Sequence, residues 1–310
     1  MKLALAGDTM LGRKVGEALA RQPPESLVAD EVVAVAREAD VVVLNLECCI
    51  SERGRRWPDP HKPFFFRAPP AAVRTLVHLG VDCVTLANNH ALDYGPEALL
   101  DTFEHLREAG IAWAGAGRDE AEARRPAIVK GVAVIGVTDH PAAYAARPGG
   151  PGVAYADLPA GVPVWLTETI SAQEAEAVLV TPHWGPNMTA APVAHVRAVA
   201  PGLVAAGATL VAGHSAHVFQ GVRGRVLFDL GDFLDDYAVD PVLRNDLGLL
   251  FLADLDAGRL EAVPLALDYC HTRLARAAEA EWVAARFEAA CAELGTAVRR
   301  EGGRLVLPLQ

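Results

Sequence analysis

Short, continuous apolar runs punctuate this chain, and five of them end in residues with the chemistry of metal ligands. They are Leu3-Ala4-Leu5-Ala6, closing on Gly7-Asp8; Val41-Val42-Val43-Leu44-Asn45-Leu46, closing on Glu47; Cys83-Val84-Thr85-Leu86-Ala87, closing on Asn88-Asn89-His90; Val178-Leu179-Val180-Thr181-Pro182, closing on His183; and Ala208-Thr209-Leu210-Val211-Ala212, closing on Gly213-His214-Ser215-Ala216-His217. Runs of this length read as strands buried on both faces. In layered α/β proteins, sites collect beyond the carboxyl ends of such strands. A lone His-x-x-His is weak evidence, because either imidazole is more often a satisfied core or surface residue. Five strand ends of one kind form a constellation.

Between these runs the apolar spacing predicts helices over about 13–21, 30–38, 70–79, 96–109, 192–206 and 272–294. Further strands are expected over about 111–114, 127–129 and 132–137, with Lys130-Gly131 as a hairpin turn. The segments 225–233, 247–254 and 260–266 read as antiparallel strands, and 304–309 as a terminal strand. Residues 139–163 are rich in Gly, Pro and Ala without helical periodicity, which reads as a long ordered loop or lid. Neither a repeat nor a linker interrupts the pattern. One domain over 1–310 is expected, with a core over 1–270 and a C-terminal helix and strand over 271–310.

Composition narrows the function. Of the 310 residues 52% are hydrophobic, yet the apolar runs stop after about five to eight residues, far short of the ~20 that a membrane helix needs. A soluble, cytoplasmic protein with no membrane partner is expected. The 39 acidic and 28 basic residues give a net charge of -11, which opposes attraction to nucleic acid. An anionic substrate, small or polymeric, would need local positive charge. Five cysteines, an odd number with no Cys-x-x-Cys, are expected as buried thiols.

Asp8 and Glu47 offer hard oxygen, Asn89 an amide oxygen, and His183, His214 and His217 imidazole nitrogen. That mixture suits two divalent ions (manganese, iron or zinc) that acidify a water molecule and clamp a substrate for attack. His90, beside Asn89, is the expected catalytic group, protonating a leaving atom or stabilising developing charge. Arg13, Asn88, Arg67 and Asp232 are candidate substrate contacts.

The runs Gly7-Asp8-Thr9-Met10-Leu11-Gly12-Arg13, Asn45-Leu46-Glu47, Leu86-Ala87-Asn88-Asn89-His90-Ala91-Leu92-Asp93-Tyr94-Gly95, His183-Trp184-Gly185, Gly213-His214-Ser215-Ala216-His217 and Leu230-Gly231-Asp232-Phe233 resemble the CapA, or poly-γ-glutamate capsule biosynthesis, family. The resemblance runs from the start of the chain to about residue 235. That family is similar in turn to the calcineurin-like metallophosphoesterases. The resemblance implies a four-layer α/β/β/α sandwich and a metal-dependent hydrolase, with Asp8 and His217 on one ion, Asn89, His183 and His214 on the other, Glu47 bridging, and His90 catalytic. Phosphomonoester or phosphodiester cleavage is the leading expectation. The alternative is action on, or binding of, poly-γ-glutamate with a reduced metal site. Four places depart from the pattern: Met10 stands where metallophosphoesterases carry a histidine, Glu47 is one methylene longer than the usual aspartate, Gly213-His214-Ser215-Ala216-His217 stands for the family's Gly-His-His-Pro-His, and Asp232 replaces an asparagine.

Overall fold

The computed structural model of the chain describes residues 1–309. In β1 (Lys2–Thr9) successive side chains part to opposite faces: Leu3 and Leu5 enter one apolar cluster, Ala4 and Ala6 another. The same division holds in β2 (Val41–Leu46), where Val41 and Val43 go one way and Val42 and Leu44 the other. Both faces of these strands are therefore covered, which is why their sequence reads as an unbroken apolar run.

The chain continues through α1 (Arg13–Leu19), α2 (Asp30–Ala36), α3 (Val73–Leu79), β3 (Cys83–Thr85), α4 (Gly95–Glu108), β4 (Ala112–Ala114), β5 (Ala127–Val129), β6 (Val132–Thr138), α5 (Val164–Ser171), β7 (Ala177–His183), α6 (Ala194–Ala205), β8 (Leu210–Ala212), β9 (Val222–Arg223), β10 (Val226–Leu227), β11 (Asp232–Leu234), β12 (Leu247–Asp254), β13 (Arg259–Asp268), β14 (His271–Leu274), α7 (Ala277–Glu293), β15 (Arg299–Glu301) and β16 (Arg304–Pro308). Shorter pieces connect them. Among the described residues there are two large sheets. A ten-stranded sheet runs β15-β16-β13-β12-β1-β2-β3-β4, with β11 beside β1 and β14 beside β13; a six-stranded sheet runs β9-β10-β8-β7-β6-β5. β1, β2, β3 and β4 are mutually parallel, as are β6, β7, β8 and β10.

One apolar cluster draws on both sheets, joining Leu5, Val43 and Phe251 to Val134, Leu179 and Leu210. The outer side of the large sheet packs Val42, Leu44 and Val84 against Val15, Val32, Leu76, Leu99 and Phe103 of α1–α4. The outer side of the small sheet packs Val137, Val180 and Val211 against Leu166, Ile170, Val196 and Leu203 of α5 and α6. The result is a mixed α/β protein with parallel strand ends gathered on one edge.

The structure departs from the pattern-based expectations in three places. Thr272, placed in a helix by its polar spacing, lies in β14, which pairs with β13 before α7 begins at Ala277. The helix α5 was not expected: Val164, Trp165, Thr167, Thr169 and Ile170 are poor helix formers, and its inward residues Leu166 and Ile170 are held by packing. β10 and β11 are not simply antiparallel; β10 lies parallel to β8, and β11 parallel to β1. Residues 139–163 do form a long ordered loop, packed down with Tyr144, Val153, Ala154, Ala156 and Leu158 buried.

β1 shifts register by one residue between Ala6 and Asp8 against β2. Such a bulge re-aims the side chains that follow it. It depends on Gly7, because a Cβ there would lie 1.9 Å from the Gly231 carbonyl oxygen. Gly7→Ala is accordingly expected to destabilise the protein by about 3 kcal/mol, read as a lower urea midpoint; an unchanged midpoint would refute the close approach.

Candidate metal centre

Asp8 is the hub. It sits near the end of β1, 1% exposed, and its carboxylate meets four groups from two other segments, β2 and the turn 214–217. Asn45 Nδ2 donates to Oδ1 at 2.7 Å, the Ser215 amide donates to Oδ2 at 3.3 Å, His214 Nδ1 lies 3.0 Å from Oδ1, and His217 Nδ1 3.4 Å from Oδ2. Glu47, one residue past β2, is fully buried; its Oε1 is 3.8 Å from His183 Nε2 and its Oε2 3.9 Å from His217 Nδ1. His183 ends β7 and bridges in register to His214. Two groups of donors result, Asp8-Glu47-His183 and Asp8-His217-Asp232, each with its atoms within 4.8 Å of one another. Asp8 is common to both.

The His214–His217 turn owes its shape to two devices. Gly213 is required for close approach, since a Cβ would lie 2.1 Å from the Phe228 carbonyl oxygen and 2.5 Å from Trp184 Nε1. The left-handed backbone of the turn falls on Ser215 (φ 108°) and His217 (φ 58°), not on Gly213. Strain of this kind costs about 1–3 kcal/mol per residue and persists only where surroundings enforce it. Here Asp229 accepts from the Ala216 and Gly231 amides at 2.8 Å each, and Ser215 Oγ donates to the Gly185 carbonyl at 2.8 Å.

The electrostatics are those of a centre short of positive charge. Burial, then the neighbouring Asp8 charge, pushes Glu47 well above the ordinary carboxylate range; burial, Asp235 and Asp8 do the same to Asp232. Burial also opposes the Asp8 charge, but the imidazoles, His214 foremost, hold that carboxyl well below its usual value. His183 is pushed well down by burial. For His217 burial is outweighed by Glu47 and Asp8, and the net direction is up. Several buried donor atoms have no partner in the protein: Glu47 Oε1, His183 Nε2, Asn89 Oδ1 and Asp232 Oδ2. Buried polar atoms without partners are rare and call for a cause. The oxygen and imidazole donors around Asp8 could hold a metal ion, and their chemistry suits one.

His90 stands beside this cluster and is built differently. Its ring stacks on Phe66 at 3.9 Å between centroids, and Nδ1 lies 2.6 Å from Asp93 Oδ2. Asp93, fully buried, also accepts from the Phe66 amide, Tyr144 Oη and Lys62 Nζ, at 2.6, 3.0 and 3.0 Å. Burial brings His90 down to about 4 despite that carboxylate, so the ring is neutral at physiological pH.

Of the expected substrate contacts, Asn88 is instead fully buried and engaged inside the protein: its amide donates to Asn45 Oδ1 and the Leu46 carbonyl, and its Oδ1 accepts from the His90 amide. Arg13 pairs with Asp236 at 3.2 Å among Phe64, Phe66 and Tyr237, and Arg67 lies 4.1 Å over the Tyr94 ring. Asp232 belongs to the donor cluster itself. Residues that sequence reading passed over are Asn45, which ties Asp8 to Asn88; Asp93; Asp229; and Tyr237, whose hydroxyl donates to Glu47 Oε2 at 3.2 Å. Asn45 carried a signal, as the one polar residue in its apolar run. Asp93 carried one too, three residues after His90 in the same motif.

Fold and site together define an α/β protein with a buried carboxylate–imidazole centre, able to hold metal, beyond its parallel strand ends. The chain belongs to the bacterial capsule synthesis protein PGA_cap family, whose profile matches residues 2–237. It is 32% identical over 271 residues to a Mycobacterium tuberculosis protein described as a probable polyglutamine synthesis accessory protein, covering 79% of this chain and 70% of that one. It is 28% identical over 275 residues to the PGA biosynthesis protein CapA of Bacillus subtilis, covering 86% and 71%. With the capsule biosynthesis protein CapA of Bacillus anthracis it shares 29% over 280 residues, covering 86% and 67%. No helix among the described residues is long and apolar enough to cross a membrane.

Proposed function

We propose that this protein is a metal-dependent hydrolase serving polyglutamate synthesis, which opens γ-glutamyl amide bonds with water. On this reading its two sheets and flanking helices form the four-layer α/β/β/α sandwich of the calcineurin-like metallophosphoesterases. The observation that carries the chemistry is the set of buried, partnerless donors around Asp8: Glu47 Oε1, His183 Nε2 and Asp232 Oδ2. The relatives' names, polyglutamine synthesis in one and PGA biosynthesis in the other, support the choice of a glutamyl polymer. Asp8, Glu47, Asn89, His183, His214 and His217 would hold two divalent ions, of manganese, iron or zinc, which when bound supply Lewis acidity and bring a water's pKa toward neutrality.

The chain's own residues complete the step. Asp93 accepts at His90 Nδ1 and so keeps the neutral ring's proton on that atom, which leaves Nε2 as a proton acceptor. Nε2 takes a proton from the attacking water and returns it to the departing amide nitrogen, while Asp93 and the Phe66 ring hold the imidazole in place. Phosphoester hydrolysis is the second reading, favoured by a donor set of Asp, Glu, Asn and His that also suits displacement at phosphorus.

The test is incubation of manganese-loaded protein with poly-γ-glutamate, reading chain length and newly freed amino groups, beside a panel of phosphomonoesters and phosphodiesters. Shortening of the polymer that is lost in His214→Ala is the expected result. Turnover of phosphoesters alone would replace the amide reading with the second. Ion-loaded protein that binds the polymer and turns over neither class would overturn hydrolysis in favour of a binding role in capsule assembly.

A further inference from the structure

Asp232 is the first residue of β11, which runs parallel to β1 with Asp232 level with Asp8. Adjacent parallel strands thus deliver two carboxylates to one level, 1% and 2% exposed. Like charges so placed repel strongly where water is excluded. His217 Nδ1 lies 2.9 Å from Asp232 Oδ1 and 3.4 Å from Asp8 Oδ2, so one ring nitrogen faces two carboxylates at once. Asp232 Oδ2 remains buried with no partner. A single imidazole proton does not satisfy that arrangement, whereas a divalent cation between the three groups does.

Met10 contributes nothing there. It is fully buried in the apolar cluster with Ala6, Val15 and Leu46, and its sulfur accepts from the Gly12 amide at 3.1 Å. The position just past β1 at which the resemblance calls for an imidazole is turned into the core.

We infer that Asp232 is the third protein ligand, with Asp8 and His217, of an oxygen-rich ion position that takes a hard divalent cation such as manganese or magnesium. This rests on the metal-dependent reading above and deepens it, since the other group, Asp8-Glu47-His183, gains a second imidazole once His214, 3.0 Å from Asp8 Oδ1, is counted with it. Two carboxylates and one imidazole favour hard ions relative to a histidine-rich set, which favours zinc. The centre therefore holds two chemically unequal positions. The competing account is a proton shared between Asp232 and its neighbour Asp235.

The experiment uses the full chain, stripped with chelator and titrated with manganese by calorimetry, with ion content counted by elemental analysis. Wild type is expected to take two ions. Asp232→Asn is expected to keep one and to bind the other about tenfold or more weakly. Asp232→His is expected to keep two, with the zinc-over-manganese preference of the altered position raised. Without ions, Asp232→Asn is expected to melt above wild type, because a repulsive charge is gone; a purely structural Asp232 would melt lower. Two ions bound by Asp232→Asn as tightly as by wild type would overturn the inference alone and favour the shared proton. Wild type that takes no ion would overturn the metal-dependent reading itself and this inference with it.

Discussion

Replacing His90 by Asn is expected to lower turnover of the glutamyl bond by about 10²- to 10⁴-fold, while ion content stays at the wild-type value. The separation follows from the architecture. His90 is held from outside the Asp8 cluster, its Nδ1 engaged by Asp93 and its ring by Phe66. Asparagine keeps a polar group near Asp93 but has no atom that accepts and returns a proton near neutral pH. The pH profile gives the sign. The working form is the neutral ring, so the rate falls as pH drops through the His90 pKa, which burial depresses to about 4. His90→Asn removes that acid limb. Full activity in the variant, or an equal loss of bound ion, would show that His90 does not play this part.

Chelation is expected to lower the melting temperature, by more at pH 7.5 than at pH 5.5. Glu47 and Asp232 have folded pKa values raised above their unfolded ones, by burial first and then by neighbouring carboxylates. Their contribution to stability is therefore present below the unfolded pKa and lost as pH rises through the folded one. A bound divalent ion offsets that loss, because it requires the charged carboxylates. His183 runs the other way: burial depresses its pKa, so its contribution is present above the unfolded value near 6.5 and lost as pH falls below it. The ion also requires neutral imidazole, so both effects make its stabilisation grow with pH. At ion concentrations about a hundredfold above Kd the gain is about 2.7 kcal/mol, or roughly 5 °C or more for a chain of this size. Scanning fluorimetry with manganese or chelator at the two pH values measures it. Equal shifts at both would sink the account of crowded, uncompensated carboxylates.

The two expectations rest on residues that differed in how readily the sequence revealed them. Asp8, Glu47, His183, His214 and His217 stood at the ends of apolar runs, and the structure brings all five together. Their visibility has a simple cause: parallel strands buried on both faces tolerate few polar residues, so a polar residue that closes such a run marks the strand end. Asn45 obeyed the same logic but lay inside its run, and its bond to Asp8 appears only when β1 and β2 are paired. Asp229, Asp232 and Tyr237 lie in a stretch whose short strands change partners, β10 joining one sheet and β11 the other. Local periodicity carries no record of that choice. The strand β14 was hidden for a related reason, since its pairing with β13 outweighs the helical spacing of residues around 272.

By itself, then, the sequence determined the α/β class, the parallel strands and the donor chemistry at their ends, because burial on two faces and the 3.6-residue helix period are local constraints written in residue order. The tertiary structure alone decided that β1 bulges at Gly7, that Ser215 and His217 carry the left-handed turn, that Met10 faces the core, and that Asp232 comes level with Asp8. These are set by contacts between segments that lie, at the extreme, more than two hundred residues apart, and such contacts depend on packing that no single stretch of the chain contains.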